Sequence, residues 1–289
     1  MKERVVRFGA EASLVGIVTE PAADAPRGGP AVLFLNSGLL HRVGGSRMHV
    51  RMARALAAMG RLCLRFDYSG LGDSETRKDS VPFEQSGVLE TRDAMNYLAK
   101  AKGAERFVLV GLCSGADMAF YTAIEDPRVV GIFQIDPFDY RTPRSYLYWY
   151  GPKIFSRQPW LNVLRGRTHL GAWLKSRLSP APASSGEEQP TELVQSPYAR
   201  AFPPREVVAQ GLLTLVQRGV RIYAYFTGDR DHCYQGQFKA AFHDIDFGAC
   251  LTEEYRAKAS HLVTDLGLQR DMDQHLSAWL SGIPAPQLP

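Results

Sequence analysis

The sequence predicts an α/β fold in which a mostly parallel sheet is covered by helices on both faces. Three observations carry this. Short apolar runs with strand composition alternate with helix-periodic runs along most of the chain. The run Ala31-Val32-Leu33-Phe34-Leu35 is apolar at every position, as a strand buried on both faces has to be. The pentapeptide Gly111-Leu112-Cys113-Ser114-Gly115 joins an apolar β-type run to a helical run, so a strand turns directly into a helix there.

The elements follow in order. Residues 5–8 and 14–19 read as an opening hairpin of short strands. Residues 20–30, rich in Ala, Pro and Gly, read as a loop, and 31–35 as the next strand. Residues 46–59 have helical periodicity, with Val50, Ala53, Leu56 and Ala57 on one face and Gly60 to end it. A strand at 62–66, a turn-rich loop at 67–74 and a helix at about 84–100 come next. The 106–110 strand then leads into the pentapeptide. Strands at 129–135, 221–227 and 250–255 and a helix at 268–280 complete the pattern.

The pentapeptide has the mechanics of a nucleophile elbow. Its glycines let the chain turn sharply and let strand and helix pack closely. The central side chain is pushed out at a helix N-terminus, and here it is Cys113. A thiol in that place is activated by the helix dipole and a nearby His, and forms a thioester on attack. The rival reading is a small buried Cys in a glycine-rich turn.

Composition narrows the class. The 289 residues are 45% hydrophobic and 22% charged, with a net charge of +4, which excludes wholesale disorder. The first residues lack the apolar run of a signal peptide, and no stretch reaches the length of a membrane span. Cys63, Cys113, Cys233 and Cys250 have neither paired metal spacing nor disulfide density. The expectation is a cytoplasmic protein with reduced thiols and no metal or redox cofactor. The glycines of 67–74 precede no Gly-Lys-Ser/Thr, so they form no phosphate loop; their expected job is tight turning, with Asp and Ser groups satisfying backbone amides.

Taken together, Asn36-Ser37-Gly38, Asp67-Tyr68-Ser69-Gly70-Leu71-Gly72-Asp73-Ser74, the elbow, Gly228-Asp229-Arg230-Asp231 and Ser260-His261 make the chain resemble the α/β-hydrolase superfamily over nearly its whole length. The Cys nucleophile resembles dienelactone hydrolases and polyhydroxyalkanoate synthases, although those carry a further glycine where this chain has Ala116. The chain also resembles hydrolases of bacterial exosortase-associated and natural-product gene clusters. The resemblance implies an α/β-hydrolase fold with an inserted cap: core at 1–137, cap at 138–204, core again at 205–289. It implies His261, between the last strand and the last helix, as general base. It points to Asp231 as the acid that orients the ring, because superfamily members often read G-x-x-D there; Asp229 and Asp136 stay open as alternatives. The oxyanion hole is expected from the backbone N–H groups of Ser114 and of Leu39, although Ser37 stands where a His is common.

The segment 138–204 is too long for a simple loop. Tyr140, Tyr146, Tyr148, Trp149, Tyr150, Phe155, Trp160 and Trp173 supply aromatic surface. Arg141, Arg144, Lys153, Arg157, Arg165, Arg167, Lys175 and Arg177 supply positive charge, and no Asp or Glu occurs from 140 to 186. Tyr140, Arg141, Tyr146 and Trp149 are the expected substrate contacts. Aromatics suit an acyl pocket and cations suit phosphate, the combination presented by coenzyme A and acyl carrier proteins. Nucleic acid is a poor fit beside an elbow. The leading expectation is a Cys-His-Asp enzyme that hydrolyses an activated acyl thioester or ester. Acyl transfer or condensation is the first rival, and a non-catalytic hydrolase-fold binding protein the second.

Overall fold

A computed structural model of the chain describes residues 1–23, 28–154, 200 and 202–283. The chain divides into two units, one formed by Met1–Tyr140 with Arg200–Pro289 and the other by Arg141–Ala199. In the first unit, strands β1 (Lys2–Phe8) and β2 (Leu14–Glu20) form an antiparallel hairpin. They are followed by β3 (Ala31–Leu35), α1 (Met48–Ala58), β4 (Cys63–Phe66), α2 (Phe83–Lys102), β5 (Phe107–Leu112), α3 (Ser114–Glu125) and β6 (Val129–Ile135). The second unit contributes α4 (Pro143–Ile154). The first unit resumes with α5 (Arg205–Gln217), β7 (Arg221–Thr227), a short α6 (Gln237–Ala241), β8 (Leu251–Arg256) and α7 (Leu266–Ser281).

The eight strands form one sheet in the order β1-β2-β4-β3-β5-β6-β7-β8, parallel from β4 to β8. The uninterrupted apolar runs are explained by the two cores. Leu33 and Leu35 of β3 face one core with Met95 and Leu98 of α2, Phe120 of α3 and Leu212 of α5. Val32 and Phe34 face the other with Met52 and Leu56 of α1 and Leu276 and Leu280 of α7. Alternate residues go to opposite faces, and both faces are dry, so every position must be apolar. The expected strands at 31–35, 129–135 and 221–227 have these same bounds. The sequence pattern indicates no helix in 138–220, where the structure has α4 and α5; Val208, Leu212 and Leu215 are the buried, helix-spaced residues of α5.

Parallel strands deliver their C-terminal ends to one edge of the sheet, where open α/β sheets hold their sites. The ends of β5, β6, β7 and β8 bring Cys113, Asp136, Asp229 and His261 to that edge. Among the described residues no helix is long and apolar enough to cross a membrane.

Candidate active site

The elbow is strained, and its glycines explain how. Cys113 has φ 55° and ψ −118°, a positive φ that L side chains rarely adopt. Such a residue costs on the order of 1–3 kcal/mol and persists only where its surroundings impose it. The imposition is visible on both sides. A Cβ on Gly111 would lie 2.2 Å from the Gly115 carbonyl, and one on Gly115 would lie 2.6 Å from the Asn36 oxygen. Strand and helix thus meet at a separation that only glycine permits, and Cys113 is lifted, half-buried, onto the sheet edge.

His261 reaches this residue from the loop after β8. Its Nδ1 lies 2.5 Å from Asp136 Oδ2, while its backbone N–H donates to Asp229 Oδ2 at 2.8 Å. The carboxylate on the ring is that of Asp136, one of the alternatives to Asp231 left open by the sequence. The reason is strand registry. Ile135 pairs with Tyr225, the Asp136 N–H donates to the Tyr225 carbonyl at 2.8 Å, and the Thr227 N–H donates to Asp136 Oδ1 at 2.8 Å. The sheet's own ladder therefore aims the first residue past β6 at the His261 loop. Asp136, too, has a positive φ, of 48°. Asp229 braces the backbone of His261, and the Thr227 hydroxyl lies between the two carboxylates, 2.7 Å from Asp136 and 2.9 Å from Asp229. Asp231 lines the pocket beside Cys113.

The electrostatics favour a charged pair. Burial alone would raise the Cys113 thiol, but a hydrogen bond with His261 and the nearby Arg200 and His261 charges outweigh it and hold the thiol below its ordinary value. Burial alone would lower His261, but its hydrogen bonds to Asp136 and Cys113 outweigh it and push the ring up to about 9. Both shifts run in the direction of a thiolate facing an imidazolium.

Two charged residues complete the site, and the sequence reading names neither. Arg200 grips Asp117 with two hydrogen bonds of 2.7 Å, and its remaining Nη1 lies 3.8 Å from Cys113 Sγ. Asp117 was legible in principle as the one charged residue on the buried, otherwise apolar face of α3. Arg200 had no such signal, because its partner is 83 residues away. A cavity of about 300 Å³ opens in front of these groups, with Phe202, Phe226 and Arg230 on its wall.

The turn at 36–40 is tied to the elbow. The Gly38 N–H donates to Ser114 Oγ at 2.8 Å, and the Leu40 N–H returns to the Ser37 carbonyl. Leu39 sits between them with its side chain 66% exposed. The Ser114 amide belongs to the first turn of α3, where backbone N–H groups lack helical partners. The Asp67–Ser74 loop does structural work. Buried Asp67 accepts from the Arg42 and Asp73 amides and pairs with the Arg42 guanidinium, and Ser74 Oγ accepts from the Val15 amide at 2.9 Å.

The expected substrate contacts are distributed differently. Tyr140 is packed into the first unit, with its hydroxyl donating to the Pro203 carbonyl and its ring edge-on to Phe242. Arg141, Tyr146 and Trp149 belong to the second unit, all three exposed. Phe155, Trp160, Trp173 and the basic residues from 157 onward lie outside the described residues. Cys233 is buried, with its thiol 3.1 Å from the Asp231 carbonyl. Among the described residues no group of three His, Cys, Asp or Glu side chains is placed to hold a metal ion.

The sequence matches the family model described as alpha/beta hydrolase fold over residues 30–207, so the chain belongs to that family. No curated protein matches it significantly. Among solved structures it is similar to an esterase from Pyrococcus furiosus, with a TM-score of 0.61 at 12% identity, covering 97% of this chain and 90% of that one. A hypothetical protein from Pseudomonas aeruginosa gives 0.60 at 14% identity, with 98% and 94% covered. An alpha-beta serine hydrolase homologue from Coxiella burnetii gives 0.56 at 13% identity, with 96% and 97% covered. At these identities the likeness is one of fold.

Proposed function

We propose that this chain is an acyl-processing hydrolase with Cys113 as nucleophile, His261 as general acid and base, and Asp136 as the group that orients His261. The observation that carries the reading is the series at the strand ends: a strained elbow thiol within electrostatic reach of a ring whose Nδ1 lies 2.5 Å from a carboxylate. In the first step the Cys113 thiolate attacks the acyl carbonyl of a thioester or ester and forms a C–S bond. The bond to the leaving thiol or alcohol breaks, and the leaving group takes the His261 proton. The Leu39 and Ser114 amides receive the oxyanion. Acylation removes the thiolate, so His261 loses the partner that kept it protonated. The neutral ring then takes a proton from water, hydroxide adds to the acyl carbon, and Cys113 leaves as thiolate.

The fold family supports a hydrolase, and the basic, aromatic composition of 138–204 suits a donor carried on coenzyme A or an acyl carrier protein. Turnover of a graded series of acyl thioesters and esters tests the reading, with Cys113→Ala in parallel. Wild-type turnover that the variant lacks is the expected result. A Cys113→Ala protein with full turnover would overturn the mechanism.

A further inference from the structure

Arg200 occupies a place that the triad does not require. Two of its nitrogens are committed to Asp117, and the third faces the reacting sulfur at 3.8 Å. The guanidinium stacks over Phe138 and Phe202, with its carbon 5.2 and 4.8 Å from the ring centroids. Its side chain is 16% exposed and that of Asp117 6%. A bidentate fork against a carboxylate leaves the guanidinium little freedom, and low-polarity walls strengthen its field at short range.

We propose that Arg200, fixed by Asp117, is a second cation for the Cys113 sulfur, one that holds the thiolate without lending it a proton. The inference rests on Cys113 being the nucleophile. Its chemical sense is a division of labour. His261 must gain and lose a proton in each cycle, so its charge on the sulfur is intermittent. Arg200 stays protonated throughout. When the acyl–sulfur bond breaks in the second step, the departing thiolate meets a permanent positive charge at the moment the sulfur takes up the electron pair. A serine alkoxide is always reprotonated by its base, whereas a thiolate is stable enough to be the resting form.

Other charges face the sulfur and its partners, and they bound the effect. Asp117 on α3 opposes Arg200, Asp136 after β6 and Asp229 after β7 lie on the His261 side, and Arg230 acts on His261 from the β7 loop. Asp139, Asp231 and His232 line the same pocket. Burial lifts the Asp117 carboxyl up to about 6 in spite of Arg200, so the anchor itself is weakest in acid.

The test is the pH profile of Cys113 alkylation by iodoacetamide, read at that residue by peptide mass, together with the iodoacetate-to-iodoacetamide rate ratio. Arg200→Gln should move the thiolate midpoint up by about one pH unit, slow alkylation below the midpoint roughly tenfold, and lower the preference for the anionic reagent. Since Arg200→Gln alone leaves a buried carboxylate uncompensated, the double variant Arg200→Gln/Asp117→Asn is measured beside it and should show a smaller shift in the same direction, because the Asp117 charge that raises the thiol is gone too. Asp117→Asn alone should move the midpoint down, and Arg200→Lys should restore part of the wild-type ratio. A purely structural ion pair would alter thermal stability and leave midpoint and ratio unchanged, which would overturn the inference. The nucleophile assignment fails separately: a shifted midpoint with a Cys113→Ala protein that still turns over substrate would sink that assignment and leave Arg200's effect on the sulfur standing.

Discussion

Two histidines at this sheet edge are each paired with an aspartate from the end of β6, and they differ in what the second ring nitrogen meets. His261 has Nδ1 on Asp136 and acts on the Cys113 thiol, which it holds below its ordinary value. His232 has Nδ1 on Asp139 at 2.8 Å, with Nε2 3.4 Å from Glu253. The His232 side chain is 1% exposed, and its ring is stacked on Phe226 with centroids 3.8 Å apart. Burial works against its charge, but the hydrogen bond to Asp139 and the neighbouring Glu253 carboxylate outweigh it and raise the ring above its ordinary value. Its carboxylates are themselves committed: Glu253 accepts from the Gly236 and Phe238 amides, and Asp139 from the Gln237 side chain. A histidine with carboxylates on both sides has no route for its proton. A histidine with a carboxylate on one side and a thiol on the other has one. The first pins the β7 loop; the second is placed for chemistry.

The sharpest way to break this comparison is to remove each ring in turn. His261→Ala should lower turnover by on the order of 10²–10⁴-fold while the protein stays folded. His232→Gln should do the reverse. It leaves two carboxylates facing each other in a buried place, so it should destabilise by about 3–5 kcal/mol, while turnover of the folded fraction changes little. Denaturant unfolding beside initial rates separates the two. A His232 variant that is stable and inactive would erase the distinction.

The carboxylates sharpen it further. Asp136→Asn removes the ionic hold on His261 Nδ1 and should cost on the order of 10²-fold or more in turnover. Asp229→Asn loses a charge-assisted bond to the His261 backbone and should cost about tenfold. Asp231→Asn should fall below both. Equal losses at Asp136 and Asp231 would reinstate the acid read from sequence.

The smallest effect is in stability against pH. The His261 ring sits near 9 against 6.5 for a free imidazole. A base whose value is raised on folding adds stability that is fully present below 6.5 and is lost as the pH rises through about 9. The Tm advantage of wild type over His261→Ala should therefore shrink between pH 7 and 9.5. An advantage that grows over that range would contradict the imidazolium.

What could be read from sequence follows from the reach of each interaction. The strands were legible because both faces are apolar, which leaves no ambiguity at Ala31–Leu35 or Ile222–Phe226. The elbow was legible because its glycines and Cys113 are contiguous, and His261 because the base follows the last strand. The choice among Asp136, Asp229 and Asp231 was not legible. All three follow strand ends, and the one that meets the ring is decided by the pairing of Ile135 with Tyr225, a non-local fact. Arg200 is the extreme case, a residue more than 80 positions from either partner whose meaning exists only once it meets Asp117 and Cys113.

The central claim is that Cys113 forms the covalent intermediate. Intact-protein mass after brief exposure to acyl thioesters, with Cys113→Ala alongside, tests it most directly. The account predicts an added acyl mass on wild type alone, located at Cys113 and discharged by water or by an added amine. Turnover with no adduct at Cys113, or an adduct of equal yield on Cys113→Ala, would contradict it.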